Sequence, residues 1–171
     1  MKRNLAPILA LAGLTVAYAA LVLGTATALP ERVAVHFGWH GRADGWADRL
    51  QATVAFETLM VVPAIFLLLA FLMQIMPAGA FNLPHRDYWL APERRAQTVA
   101  VCARQVIWMG CLMDLFLAGI YALTIEANRL TPPRLPAGLF LLLLLGFLTA
   151  TGVWTWRFLR RFYHPPTGRS C

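Results

Sequence analysis

Residues 5–29 read LAPILALAGLTVAYAALVLGTATAL, twenty-five positions without a charge. A helix needs about 20 apolar residues to cross the hydrocarbon core of a bilayer. Inside that core every backbone N–H and C=O must be satisfied within the segment, which a helix does. The stretch is therefore expected to span a membrane. Lys2 and Arg3 precede it much as they would a secretory signal, but the apolar region of a signal is only about 7–15 residues long.

Three more apolar stretches follow. Residues 53–78 are interrupted only by Glu57, residues 98–125 by Arg104 and Asp114, and residues 135–156 carry no charge. The expected fold is an all-α membrane protein. It is a four-helix transmembrane bundle with helices over about 5–29, 53–78, 96–126 and 135–159, and 1–171 forms a single integral membrane domain. A short structured outer loop, 30–52, joins helices 1 and 2, and a cytoplasmic loop covers 79–95. Composition agrees: 59% of residues are hydrophobic, 13% are charged, and the mean hydropathy is +0.60. Soluble domains carry about 25% charged residues, so a water-soluble fold is excluded.

The basic residues set the expected orientation, because cytoplasmic connections accumulate Lys and Arg. Lys2, Arg3, Arg86, Arg94, Arg95, Arg157, Arg160, Arg161 and Arg169 fall on one side, against Arg32, Arg42, Arg49, Arg129 and Arg134 on the other. The larger group places both termini in the cytoplasm and the first loop outside. The net charge of +7 is then matched to anionic headgroups. The bilayer is the expected partner and nucleic acid is not. Cys102 and Cys111 lie in the third span and Cys171 at the terminus, so no outer disulfide is expected.

The first loop, LPERVAVHFGWHGRADGWADR at 29–49, concentrates two His, two Trp, three Gly and six charges. Pro30 stops the first helix. Val33, Val35 and Phe37 alternate with Arg32, Ala34 and His36, which is strand periodicity, and Asp44-Gly45 is a turn signal. The expected structure is an extended segment folded back as a cap over the bundle, with Trp39 and Trp46 at headgroup level. His36, Phe37, Asp44 and Trp46 would form a ligand-binding site, with Glu57 as the acid nearest to His36. His36, His40, Asp44 and Asp48 also recur every four residues, and on a continuous helix they would share one face as transition-metal ligands. Gly38, Gly41 and Gly45 oppose that helix, so no metal and no other cofactor is expected. The metal set stays open as an alternative.

Other positions carry less chemistry. Pro63 predicts a kink over 59–63, because it cannot donate to the carbonyl four residues back. Arg104 and Asp114 are intramembrane polar residues. A carboxylate near mid-membrane costs about 2.5–3.5 kcal/mol on insertion scales and is by default a functional candidate; hydrogen bonding to a neighbouring helix is the plainer expectation. Gly146 and Ala150 have the small-xxx-small spacing that allows oligomer contacts through helix 4. In the cytoplasmic loop, Asn82, Tyr88, Trp89, Glu93, Arg94 and Arg95 read as a structured connector, with nothing resembling a phosphate loop or a nucleophile with its base.

Leu29-Pro30, Val33, His36-Phe37, Gly41 and Asp44-Gly45-Trp46 resemble the motif of a bacterial integral-membrane family of unknown function. That family also forms the N-terminal part of Sdp-type bacteriocin-immunity proteins. Asn82, Pro84, Tyr88-Trp89 and Pro92-Glu93-Arg94-Arg95 resemble a second block of that family. The resemblance implies a small multi-span protein of the bacterial cytoplasmic membrane, with an immunity- or signalling-related role as one use. The expected function is thus non-enzymatic: the outer cap senses or binds an amphipathic ligand, a peptide or lipid, or a membrane-protein partner. The alternatives are a metal-dependent membrane enzyme using the loop histidines and aspartates, and a small transporter or accessory subunit using Asp114.

Overall fold

The computed structural model describes residues 4–163. Lys2, Arg3, Arg169 and Cys171 therefore lie outside the described residues. The elements run α1 (Leu5–Thr25), β1 (Arg32–Phe37), β2 (Ala43–Asp48), α2 (Arg49–Thr58), α3 (Val61–Ile75), α4 (Arg86–Trp89), α5 (Pro92–Asn128) and α6 (Ala137–Tyr163). Four helical stretches are long and apolar enough to cross a membrane: Leu5–Ala28, Arg49–Ile75, Pro92–Asn128 and Ala137–Tyr163. The chain is a multi-pass membrane protein. It is not all-α, because a two-stranded sheet stands between the first two spans.

Local chemistry sets the helix ends. α1 tightens into a 3-10 turn over Ala26–Ala28, and Pro30 prevents it from continuing. The second span begins at Arg49 rather than near 53. Its cap is Asp48, whose Oδ1 accepts from the Gln51 N–H at 2.8 Å while the Gln51 side chain reaches back to the Asp48 N–H. This reciprocal box satisfies two otherwise orphaned amides. The span breaks where Pro63 predicts, between α2 and α3. With no N–H at Pro63, the Leu59 carbonyl takes a tighter bond from the Val62 N–H at 2.9 Å. Pro92 opens α5 and Glu93 sits in its first turn, which suits the positive end of the helix dipole.

α5 is the central helix, packed against α1, α3 and α6. Its 37 residues span about 55 Å at 1.5 Å per residue, against about 30 Å of hydrocarbon, so it is longer than a single crossing requires. Gly110 lets α3 and α1 approach it: a Cβ there would lie 3.0 Å from Phe66 and 3.3 Å from Leu11. Gly119 does the same for α6, since a Cβ would lie 2.8 Å from Leu143. Phe116 and Phe147 stack beside it, centroids 4.4 Å apart. The core follows α5 from Leu11, Ala103, Ile107 and Cys111 through Tyr18, Val22 and Tyr121 to Leu29, Val33 and Ala52 beneath the hairpin. Of the described residues of α6, Phe162 alone is buried. A Cβ on Gly146 would meet nothing within 4 Å, so among the described residues no neighbouring helix is packed against that glycine.

Candidate functional site

The hairpin pairs Arg32 with Asp48, Val33 with Ala47, Ala34 with Trp46, His36 with Gly45 and Phe37 with Ala43. Val35 on β1 and Asp44 on β2 are thus left without opposite partners. Each is an extra residue, and such bulges re-aim the side chains around them. The simple alternation of Val33, Val35 and Phe37 inward is corrected accordingly: Val33 and Ala34 are both fully buried, while Val35 is exposed. Asp44-Gly45 is not the turn either. The chain reverses over residues 38–42, where the Gly38 N–H donates to the Arg42 carbonyl at 2.9 Å and the Gly41 N–H to the Gly38 carbonyl at 2.8 Å. Gly41 takes the left-handed φ of 71° that this turn requires.

The bulge at Asp44 brings its carboxylate to His36, with Oδ1 2.5 Å from Nδ1. Two glycines make room for the pair. A Cβ on Gly45 would stand 2.6 Å from the His36 Cβ, and one on Gly38 would stand 2.9 Å from Asp44 Oδ2. The side chains of the pair remain open to the surroundings, His36 74% and Asp44 53% exposed. Around them Trp39 is fully exposed and Trp46 is 40% exposed. The Arg32 guanidinium lies over the Trp46 ring, 5.2 Å from its centroid. Phe37 is half-buried.

The hairpin is held from behind. Asn128, the last residue of α5, accepts from the Ala34 N–H at 2.8 Å and donates to the Ala34 carbonyl at 2.9 Å, standing in for a third strand. The Leu135 N–H donates to the Gly41 carbonyl at 2.8 Å, which ties the turn to the α5–α6 connection. Asn128 escaped the sequence reading, although a signal existed. Asp114, Tyr121 and Asn128 are spaced seven residues apart, so they share one face of α5, and each bonds to a neighbouring element. The Thr15 hydroxyl is 2.7 Å from Asp114 Oδ2, the Tyr121 hydroxyl is 2.7 Å from that of Thr25, and Asn128 holds β1.

The remaining predicted residues are placed as follows. Glu57 is half-buried in α2, and its Oε1 has no hydrogen-bond partner among the described residues. Its neighbour Phe56 accepts from the Tyr18 hydroxyl at 2.9 Å. The partner of His36 is Asp44, not Glu57. The four-residue metal series is not gathered, because the segment is a hairpin rather than a helix: His40 lies exposed at the turn and Asp48 caps α2. Among the described residues no three His, Cys, Asp or Glu side chains are placed to share a metal. Asp114 is 3% exposed. Arg104 shares a cavity of about 250 Å³ with Asn4, Gln97 and Arg161, at the start of α1 rather than deep in the apolar core.

The second motif works as a connector. The Trp89 indole donates to the Phe162 carbonyl at 3.0 Å, and Thr98 Oγ1 to the Trp89 carbonyl at 2.8 Å. Arg94 donates to the Tyr88 carbonyl at 3.0 Å and covers the Tyr88 ring at 4.1 Å. Arg95 donates to the Met76 carbonyl at the end of α3, at 2.7 Å. Asn82 and Glu93 are exposed.

A family model described as "Domain of unknown function (DUF1648)" matches residues 10–61. The matched segment runs from α1 through the hairpin and α2 to the first residue of α3. It contains His36, Phe37, Asp44, Trp46 and Glu57, and leaves out residues 82–95, α5 and α6. No curated protein and no solved structure matches the chain.

Proposed function

We propose that this is a non-enzymatic protein of a bacterial cytoplasmic membrane, with both termini cytoplasmic, whose outer hairpin binds an amphipathic ligand, a peptide or a lipid. The observation that carries the reading is the division of labour within the hairpin. Asn128, Leu135 and the buried Val33 hold it in place, while Val35, Trp39 and Trp46 stand exposed beside the His36–Asp44 pair and Arg32. An exposed ion pair contributes at most about 1 kcal/mol to stability, so the fold does not depend on it. Aromatic surface next to a few polar groups suits a ligand with both characters. An immunity- or signalling-related task is the use suggested by the sequence resemblance. With His40 exposed at the turn and Asp48 capping α2, the four-residue series does not converge on one point among the described residues, and Asp114 bonded to Thr15 fits a packing role better than a transport role.

The test is photo-crosslinking in cells from a benzophenone amino acid at Trp39. A discrete adduct that weakens in Asp44→Ala is the expected result. Adducts identical to those formed from the exposed apolar position Leu68 would reduce the hairpin to an interfacial loop.

A further inference from the structure

A cavity of about 800 Å³ forms a groove along α6. Its wall is apolar through Leu142, Leu145, Gly146 and Val153, and it ends at Arg157 and Arg161, facing Gln105 of α5. Arg161 also lines the 250 Å³ cavity that holds Arg104, Gln97 and Asn4. Arg161 is common to both, so Arg157, Arg161 and Arg104 line adjoining cavities at the same end of the apolar groove. Among the described residues no carboxylate lines either space. Among the described residues the ion pairs are His36–Asp44, Arg86–Asp87 and Arg129–Glu126, so Arg104, Arg157 and Arg161 take part in none.

Depth identifies the occupant. Asn4 immediately precedes α1, so the guanidinium cluster stands where the first span enters the membrane, at headgroup level. Three guanidiniums without an acid repel one another unless an anion joins them, and guanidinium matches phosphate with paired hydrogen bonds. From Leu142 to Arg157 the groove runs about 22 Å at 1.5 Å per residue, longer than one leaflet of about 15 Å. Gly146 leaves open space on that wall.

We infer that this groove binds one anionic phospholipid, its phosphate held by Arg104, Arg157 and Arg161 and one acyl chain lying over Gly146. The inference is independent of any ligand at the hairpin.

The test is native mass spectrometry of the full chain released from detergent micelles. The probes are phosphatidylglycerol, phosphatidylcholine with the same chains, and inorganic phosphate. Phosphatidylglycerol should be retained preferentially. The double variant Arg104→Gln with Arg161→Gln should weaken that retention about tenfold, as expected for losing charged hydrogen bonds. Gly146→Leu, placed in open space, should block the acyl chain while leaving the melting temperature of the lipid-free protein unchanged, so a lipid effect stays distinct from misfolding. Equal retention of both lipids, indifference to Gly146→Leu, or phosphate binding as strong as lipid binding would overturn the inference. So would a dimer that fills the groove and is split by Gly146→Leu.

Discussion

Asn128 does the work of a strand with one side chain. It meets both backbone groups of Ala34, a residue with no exposed surface, so removing the amide strands a buried donor and a buried acceptor. Each such loss costs about 1–3 kcal/mol. Asn128→Ala should therefore lower the unfolding temperature and speed hydrogen exchange at Ala34, and Asn128→Asp, which keeps the acceptor alone, should fall between. Unchanged exchange at Ala34 in the alanine variant would show that the hairpin is held by other contacts. Asp114 behaves differently. The Thr15 hydroxyl it meets also lies 2.9 Å from the Leu11 carbonyl, so losing the acid leaves Thr15 with a partner. Asp114→Asn should fold normally, and Asp114→Leu should cost less than the roughly 1–3 kcal/mol of an unsatisfied group; equilibrium unfolding in mixed micelles compares them. Neither the fallback for Thr15 nor the target of Asn128 was legible in the sequence, because both depend on which helix lies beside α5. The seven-residue spacing of Asp114, Tyr121 and Asn128 was legible, and it marks the face that matters.

Elements were read with uneven success, for physical reasons. Long uncharged stretches admit one solution in hydrocarbon, so the four spans followed directly, and a missing N–H at Pro63 admits only a break. The hairpin was legible as extended chain, but its register was not. Period-two alternation assumes a regular ladder, and the bulges at Val35 and Asp44 break it. Asp44-Gly45 has the composition of a turn, yet here Gly45 is required by the close approach of His36. The contact between α5 and α6 rests on a similar fit, with Leu143 seated where a Gly119 side chain would be. Gly119→Ala should lower the unfolding free energy by about 1–3 kcal/mol, the usual cost of overpacking. Leu143→Ala combined with it should recover part of the loss. If the double variant is no more stable than the sum of the singles predicts, the two residues are not coupled and α6 is positioned by Phe116–Phe147 and Trp89–Phe162 instead.

At the scale of the whole molecule, charge decides the proposed orientation, and the structure changes how the charges are assigned. Lys2, Arg3 and Arg169 fall outside the described residues. Without them the α4 end keeps Arg86, Arg94, Arg95, Arg157, Arg160 and Arg161, against Arg32, Arg42, Arg49, Arg129 and Arg134 at the hairpin end. That margin is a single residue and orients nothing. Arg104 shifts the balance, because the cavity it shares with Asn4 and Arg161 places it at the α4 end. Among the described residues that end then carries seven cations against five, and the end richer in Lys and Arg faces the cytoplasm. Single cysteines placed at Ala43 in the hairpin and at Ala91 before α5, in a background without Cys102, Cys111 and Cys171, test this directly. A membrane-impermeant maleimide applied to intact cells should label position 43 at once and position 91 only after permeabilisation. The reverse pattern would put the hairpin in the cytoplasm, where the ligand proposed for it would have to be an intracellular one. Labelling of both positions in intact cells would mean the chain inserts both ways, as a weak charge bias allows, and Arg104→Gln should then shift the ratio further.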